Sequence, residues 1–448
     1  MKLTYEASLE HFLDTFNKSK EMSDEAAKYI PGSYSRRSFN YGPHAIYVDT
    51  AKGAYLYTVD GKKLLDFNNN FTVSILGYQN EAVDKAIIDT MKKGYSIGNP
   101  TEEEVELAKM LCERIESFEK VKFFCSASEA CVGALRIARG YTGKTKVAKM
   151  EGGYHGFLDD FSFSAHPDKA KADGDLMNIK PQPESAGIPA NRADDVILLT
   201  QNNFKVDEKL IRKNADDLAC VVMEPQSASG GIVTLDVDFV QKMRKLTEEL
   251  GILLIFDETI MIRAYKGGFQ SKYGIKPDLT ISGKTVGGGI PLGVVGGSAK
   301  VMDVVTNDIV QMSGTHHGHR LACAAGIATL KQLDDAAYER LNGMADRIKA
   351  ELNTWATQMN IPFIVFGESS VLAYAFTKEV GQTIHTHREY WTKTDTQMMQ
   401  TYALEIAVRG FMPVHRGQLG ITLAMSDQDI TDFIETTKDI VSEMYDLK

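Results

Sequence analysis

The pattern of apolar and polar positions changes character about 80 residues into the chain. Residues 5–30 are polar with helical spacing and stop at Pro31-Gly32, which predicts an amphipathic helical segment. Residues 45–67, AIYVDTAKGAYLYTVDGKKLLDF, then alternate apolar with polar and carry Asp60-Gly61. Alternation places side chains on opposite faces of a strand, and Asp-Gly supplies the positive φ of a tight turn. A β-hairpin is expected there.

Beyond residue 80, short runs of continuous apolar residues replace the alternation. VKFFC (121–125), KVAKM (146–150), LACVVMEP (218–225), ILLIFD (252–257) and DLTISG (278–283) read as strands. Helical stretches at 105–118, 129–141 and 238–250 lie between them. A strand apolar on both sides must be covered on both faces, which predicts an α/β sheet with mostly parallel strands. A long polar helix at 334–359, a strand-like PFIVFG and a last helix from Asp427 follow. The expected organisation is a large α/β domain over 76–325 and a smaller α+β domain built from 1–75 and 326–448. Residues 157–193, rich in Pro, Asp, Ala and Ser, predict a long surface loop. No period of 20–50 residues is present, so solenoids and propellers are excluded.

Composition narrows the class. At 448 residues the chain exceeds one simple core, and 43% hydrophobic with 25% charged residues is ordinary for a globular protein. The net charge of −10, spread along the sequence, argues against binding nucleic acid or an anionic membrane. Five scattered cysteines form no C-x-x-C pair, which suits a reducing compartment. With no apolar N-terminal segment and no apolar run near ~20 residues, the expectation is a cytoplasmic, soluble protein.

The candidate chemistry gathers where predicted strands end, as ligand sites do in open α/β sheets. In Phe124-Cys125-Ser126-Ala127-Ser128-Glu129 a strand breaks into small hydroxyl residues at a helix start, which suits a phosphate as well as a plain N-cap. In ILLIFDE, Asp257 ends an apolar strand, where a carboxylate requires a partner such as a protonated ring nitrogen or a helix N-terminus. In DLTISGKTVGGGIPLG, Lys284 follows a strand and precedes three glycines. A phosphate-binding G-x-x-x-x-G-K-[ST] loop needs glycine at 278 for this lysine and at 138 for Lys144. The chain has Asp278 and Ala138, so that reading fails. What remains is a lysine in a glycine-lined pocket, where desolvation favours the neutral, nucleophilic amine. In EGGYHGFLDD, Tyr154 and His155 follow a strand, and the aromatic could stack on a flat ring or be an ordinary loop residue.

Together these segments resemble class III aminotransferases, fold type I pyridoxal-phosphate enzymes, and within them the branch of glutamate-1-semialdehyde aminomutases and β-amino-acid aminotransferases. The blocks IFDE, GGFQSKYGIKPDLTISGKTVGGGIPLGVVGG and SGTHHGHRLACAAGIATL carry the likeness, which spans residue 28 to the end. Lys284 lies 27 residues after Asp257, as the family pattern expects. The resemblance implies that Lys284 holds pyridoxal 5'-phosphate as a Schiff base and shuttles a proton, while Asp257 pairs with the pyridine nitrogen. It implies that Ser126, Ala127 and Ser128 take the phosphate, that Tyr154 stacks on the ring with His155 beside it, and that Thr259 touches the other face. Thr315 would reach the phosphate of a neighbouring subunit, making the protein a homodimer. Arg37 and Arg416 are candidates for the substrate carboxylate, since an arginine fork matches it.

The implied activity is amino transfer from an amino-acid donor, with a β-amino acid among the candidates, to a keto acid such as 2-oxoglutarate. The alternative is an intramolecular aminomutase or an epimerase on the same scaffold. Three features depart from the family: Ala127-Ser128 in place of Gly-Thr, Thr259 in place of valine, and His319-Arg320 in place of Asn-Pro. No metal is expected, because no cysteine or carboxylate cluster accompanies His316, His317 and His319 in the sequence.

Overall fold

The computed structural model describes residues 2–36, 42–171, 174–412, 414 and 416–447. Two compact units are present: Met1–Asn80, Glu339–Thr383 and Thr392–Lys448 form one, and Glu81–Tyr338 with Ile384–Trp391 form the other.

The first unit begins with helices Tyr5–Thr15 and Asn17–Ala26, followed by strands β1 (Val48–Lys52), β2 (Tyr55–Thr58) and β3 (Lys63–Asp66). These pair antiparallel in sequence order. Asp60 and Gly61 form the turn between β2 and β3; Gly61 has φ +77° and its N–H donates to the Thr58 carbonyl at 3.0 Å. Phe12, Phe16, Ile46 and Leu64 pack into one buried cluster with Leu404 and Met412, which ties both ends of the chain to this sheet.

The second unit is built on seven strands: β4 (Lys120–Phe124), β5 (Lys146–Met150), β6 (Val196–Leu199), β7 (Leu218–Met223), β8 (Leu253–Asp257), β9 (Leu279–Gly283) and β10 (Gly293–Gly297). Their order is β4-β10-β9-β8-β7-β5-β6. The pairs β6–β5, β5–β7, β7–β8 and β8–β9 are parallel, and only β10 runs against its neighbours β9 and β4. Every residue of β7 to β10 is buried, as continuous apolar runs demand when both faces are covered. The sheet is therefore α/β and mostly parallel, with the fold type I character expected. Strand β10 was not anticipated, because GVVGG has little strand propensity of its own. Sheet pairing on both edges holds it in place. Residues 157–193 form the expected long connection, with two short 3-10 turns and an isolated bridge.

Helix Ala127–Thr142 illustrates how the unit coheres. Ser126 caps its start by accepting from the Glu129 N–H at 3.2 Å, and Gly143 at φ +71° ends it. Ala130, Ala134, Leu135, Ile137 and Ala138 turn into the core with β5 and β7 to β9. Truncating Ile137 to Ala would cost about 2–5 kcal/mol, because the surrounding sheet cannot collapse into the gap.

The first unit closes with β11 (Phe363–Glu368) and β12 (Val371–Phe376), which pair antiparallel, β13 (Phe411–Met412), which adds parallel to β3, and β14 (Gln418–Gly420), antiparallel to β12. A Ser426 and Asp429 capping box opens the last helix, Asp427–Met444.

Candidate active site

Two adjacent parallel strands end in buried acids. In the β7–β8 register Met223 lies opposite Phe256, so Glu224 and Asp257 leave the sheet side by side. Strand β9 pairs with β8 at Ile281–Asp257 and delivers Lys284 just past its end. Lys284 takes φ +52°, a left-handed conformation that costs a non-glycine residue ~1–3 kcal/mol and occurs mainly where function requires it.

Asp257 is surrounded by donors. His155 Nδ1–H donates to Oδ2 at 2.9 Å, and Cys131 Sγ lies 3.6 Å from the same oxygen. The Thr259 N–H at 3.1 Å and its hydroxyl at 2.5 Å donate to Oδ1. Burial pushes the Asp257 carboxyl up, but the hydrogen bonds and charge from His155 and the bonds from Thr259 prevail and hold it below the usual value. Burial lowers the His155 value in turn, while the hydrogen bond and charge of Asp257 pull it back up. Its Nε2 is buried and finds no hydrogen-bond partner among the described residues.

Among the described residues, Glu224 accepts from the N–H groups of Tyr154 at 2.8 Å and Ala228 at 3.3 Å. Burial and the Asp257 charge push its carboxyl up to about 8, with the backbone donors and the Lys284 charge pulling the other way. Glu224 was missed in the sequence, although it ends an apolar strand in the way that drew attention to Asp257. Cys131 gave no such signal, lying in the apolar face of a helix.

The cradle at the start of helix Ala127–Thr142 is closed by two glycines. A Cβ on Gly156 would lie 2.5 Å from Ser128 Oγ, and one on Gly293 would lie 2.0 Å from the Ser126 carbonyl oxygen. Only glycine lets the Tyr154-His155-Gly156 segment and β10 approach Ser126–Ser128 this closely. The fold thus gathers Ser126, Ala127, Ser128, Tyr154, His155, Glu224, Asp257, Thr259 and Lys284 at one end of the sheet. Tyr154 keeps a substantially exposed ring. Thr315 is exposed, and Arg416 is partly buried in the other unit. Arg37 lies outside the described residues.

Two further histidines have specific partners. His387 is buried, and its backbone N–H donates to the Gln201 side chain at 2.6 Å. Next to it Arg388 grips the buried Glu151 carboxylate with a two-pronged ion pair. His317 meets Glu129 and Cys125, sequence-distant partners that the histidine block alone did not reveal.

The aminotransferase class-III family model matches residues 37–433. The chain belongs to the class-III aminotransferase family. A glutamate-1-semialdehyde 2,1-aminomutase of Desulfotalea psychrophila is 39% identical over 366 residues, covering 80% of this chain and 83% of that protein. A β-phenylalanine aminotransferase from Variovorax paradoxus superposes with TM-score 0.89 at 25% identity, covering 99% of this chain and 98% of the other. A transaminase solved with pyridoxal phosphate bound superposes with TM-score 0.86 at 26% identity, covering 96% and 99%. This class-III enzyme therefore uses pyridoxal phosphate. Its residues fit that group: a glycine-closed helix start suits a phosphate, a buried anion suits a protonated ring nitrogen, and a lysine stands at the strand end next to it. Among the described residues no helix is long and apolar enough to cross a membrane.

Proposed function

We propose that this enzyme moves an amino group within a small amino aldehyde of the glutamate-1-semialdehyde type, from carbon 2 to carbon 1. The observation that carries the reading is the kinship with aminomutases at up to 39% identity, joined to the retained trio Lys284, Asp257 and Tyr154. Intermolecular amino transfer to a keto acid such as 2-oxoglutarate is the second reading. It is favoured by the likeness to the β-phenylalanine aminotransferase.

In the proposed mechanism bound pyridoxal phosphate draws electrons from the amino-bearing carbon of the substrate. The Asp257 carboxylate keeps the ring nitrogen protonated, with His155 and Thr259 holding that carboxylate ionised and aimed. Lys284 would hold the cofactor, and its free amine would take and return the proton at the amino-bearing carbon of the substrate. Ser126, Ala127 and Ser128 offer helix-start N–H and hydroxyl groups to the phosphate, where the helix dipole favours negative charge. Tyr154 and Thr259 would pack against the cofactor ring. Arg37 and Arg416 bind the substrate carboxylate. Two chains pair, each lending Thr315 to the other's phosphate.

The two readings separate on the need for an acceptor. Purified holoenzyme given glutamate 1-semialdehyde without a keto acid should turn over many equivalents of substrate. Turnover limited to one equivalent until 2-oxoglutarate is added would overturn the aminomutase reading and select the aminotransferase.

A further inference from the structure

We propose that Cys125, Glu129 and His317 form a binding site for a divalent cation of the zinc class, flanking the proposed phosphate contacts Ser126–Ser128 without sharing a side chain with them. The three come from different places: Cys125 follows β4, Glu129 lies in the first turn of helix Ala127–Thr142, and His317 stands in the loop before helix Arg320–Leu330. The fold brings one ligand atom from each within 4.8 Å of the others. His317 Nε2 sits 3.2 Å from Glu129 Oε2. Bonds of ~2.0–2.3 Å to a tetrahedral zinc ion place neighbouring ligand atoms about 3.3–3.7 Å apart, so this edge of the tetrahedron is already nearly its final length.

The donor set suits that chemistry. A thiol sulfur and an imidazole select zinc-like cations over magnesium or calcium, which prefer an all-oxygen shell. Three protein ligands leave a fourth position for water. The Phe124 ring packs against His317 with centroids 5.0 Å apart and walls one side of the site. The His317 Nδ1 atom is buried without a partner among the described residues, so nothing competes to turn the ring away.

A second trio, Cys131, His155 and Asp257, also clusters within 4.8 Å, and the contrast is informative. All three are buried, and Asp257 spends its oxygens on His155, Thr259 and Cys131. That trio belongs to the site already described. Cys125, Glu129 and His317 are each only partly buried within the chain.

The test is equilibrium dialysis of the metal-stripped holoenzyme against zinc chloride, with zinc per chain read by mass spectrometry. One zinc per chain is expected, with the affinity lowered at least tenfold in Cys125→Ser and in His317→Ala. Cys112→Ser, which alters a thiol on a different helix, should bind zinc as the unaltered protein does. Circular dichroism confirms that each variant is folded. In a parallel experiment, cobalt(II) should give a thiolate charge-transfer band that Cys125→Ser abolishes and Glu129→Gln shifts. Failure of the unaltered holoenzyme to hold stoichiometric zinc would overturn the proposal. So would zinc or cobalt binding that is undiminished in the folded Cys125→Ser and His317→Ala proteins.

Discussion

The ends of β7 and β8 make an instructive pair. Each strand is wholly buried, each delivers a carboxylate on the same edge of the sheet, and the two acids are neighbours in register. Yet Asp257 is held below the usual carboxylate value, while Glu224 is pushed up to about 8. Burial acts the same way on both, so it is not the discriminating cause. Asp257 receives an imidazole, a hydroxyl and a backbone N–H at close range, whereas Glu224 has two backbone donors among the described residues. Two adjacent buried carboxylates resist ionising together, and the better-donated one takes the charge. One strand end is therefore biased towards the anion and its neighbour towards the neutral acid.

Removing the favoured charge should break this asymmetry most severely. Asp257→Asn is expected to lower kcat by about 10²–10³-fold, as the loss of one preorganised electrostatic partner does. It should also move the Glu224 titration to lower pH, since the repelling charge is gone. Steady-state kinetics reads the first and chemical denaturation across pH the second, where an unmoved Glu224 transition would contradict the coupling. His155→Ala acts one step further out and should cost about 10–100-fold, the usual toll of removing a group that orients a reactive one. Steady-state kinetics at saturating cofactor checks this, and undiminished kcat would show that Thr259 alone holds Asp257.

The smallest effect is expected at the neutral acid. Glu224→Gln preserves an uncharged group, so at pH 7 the rate should change by less than about tenfold, under ~1.4 kcal/mol of barrier. Its signature lies in stability. The folded Glu224 value exceeds that of the unfolded chain, so between about 4.3 and about 8 the native state binds a proton that the unfolded chain has released. The stabilisation is fully present below the lower value and is lost as pH rises through the upper one. Chemical denaturation from pH 5 to 8.5 should show this loss in the unaltered protein and a flatter curve in Glu224→Gln. Asp257 has the opposite sign: its contribution is present above the unfolded value and disappears as pH falls through its lowered folded value.

The same comparison explains what was legible beforehand. Strands β5 and β7 to β9 could be read because continuous apolar runs need burial on both faces. The hairpin could be read from Asp60-Gly61. Strand β10 could not, since its glycines record how closely it approaches Ser126 rather than any preference for extended backbone. Asp257 and Lys284 drew attention because a charge beside a buried strand demands an explanation. Glu224 posed that same demand and was passed over. Its consequence depends on having Asp257 as a neighbour, which is set by strand order and not by sequence distance. Cys125, Glu129 and His317 were hidden for a related reason: nearly 190 residues of chain separate atoms that the fold places 3.2 Å apart.

The central claim is that the cofactor is held at Lys284, beside the charged strand end. Borohydride reduction of the purified holoenzyme, followed by digestion and peptide mass mapping, tests it most directly. The account predicts that the peptide containing Lys284 carries the phosphopyridoxyl group and that the peptide with the buried Lys149 does not. Labelling of Lys149 or any other lysine, with Lys284 unmodified, would contradict it.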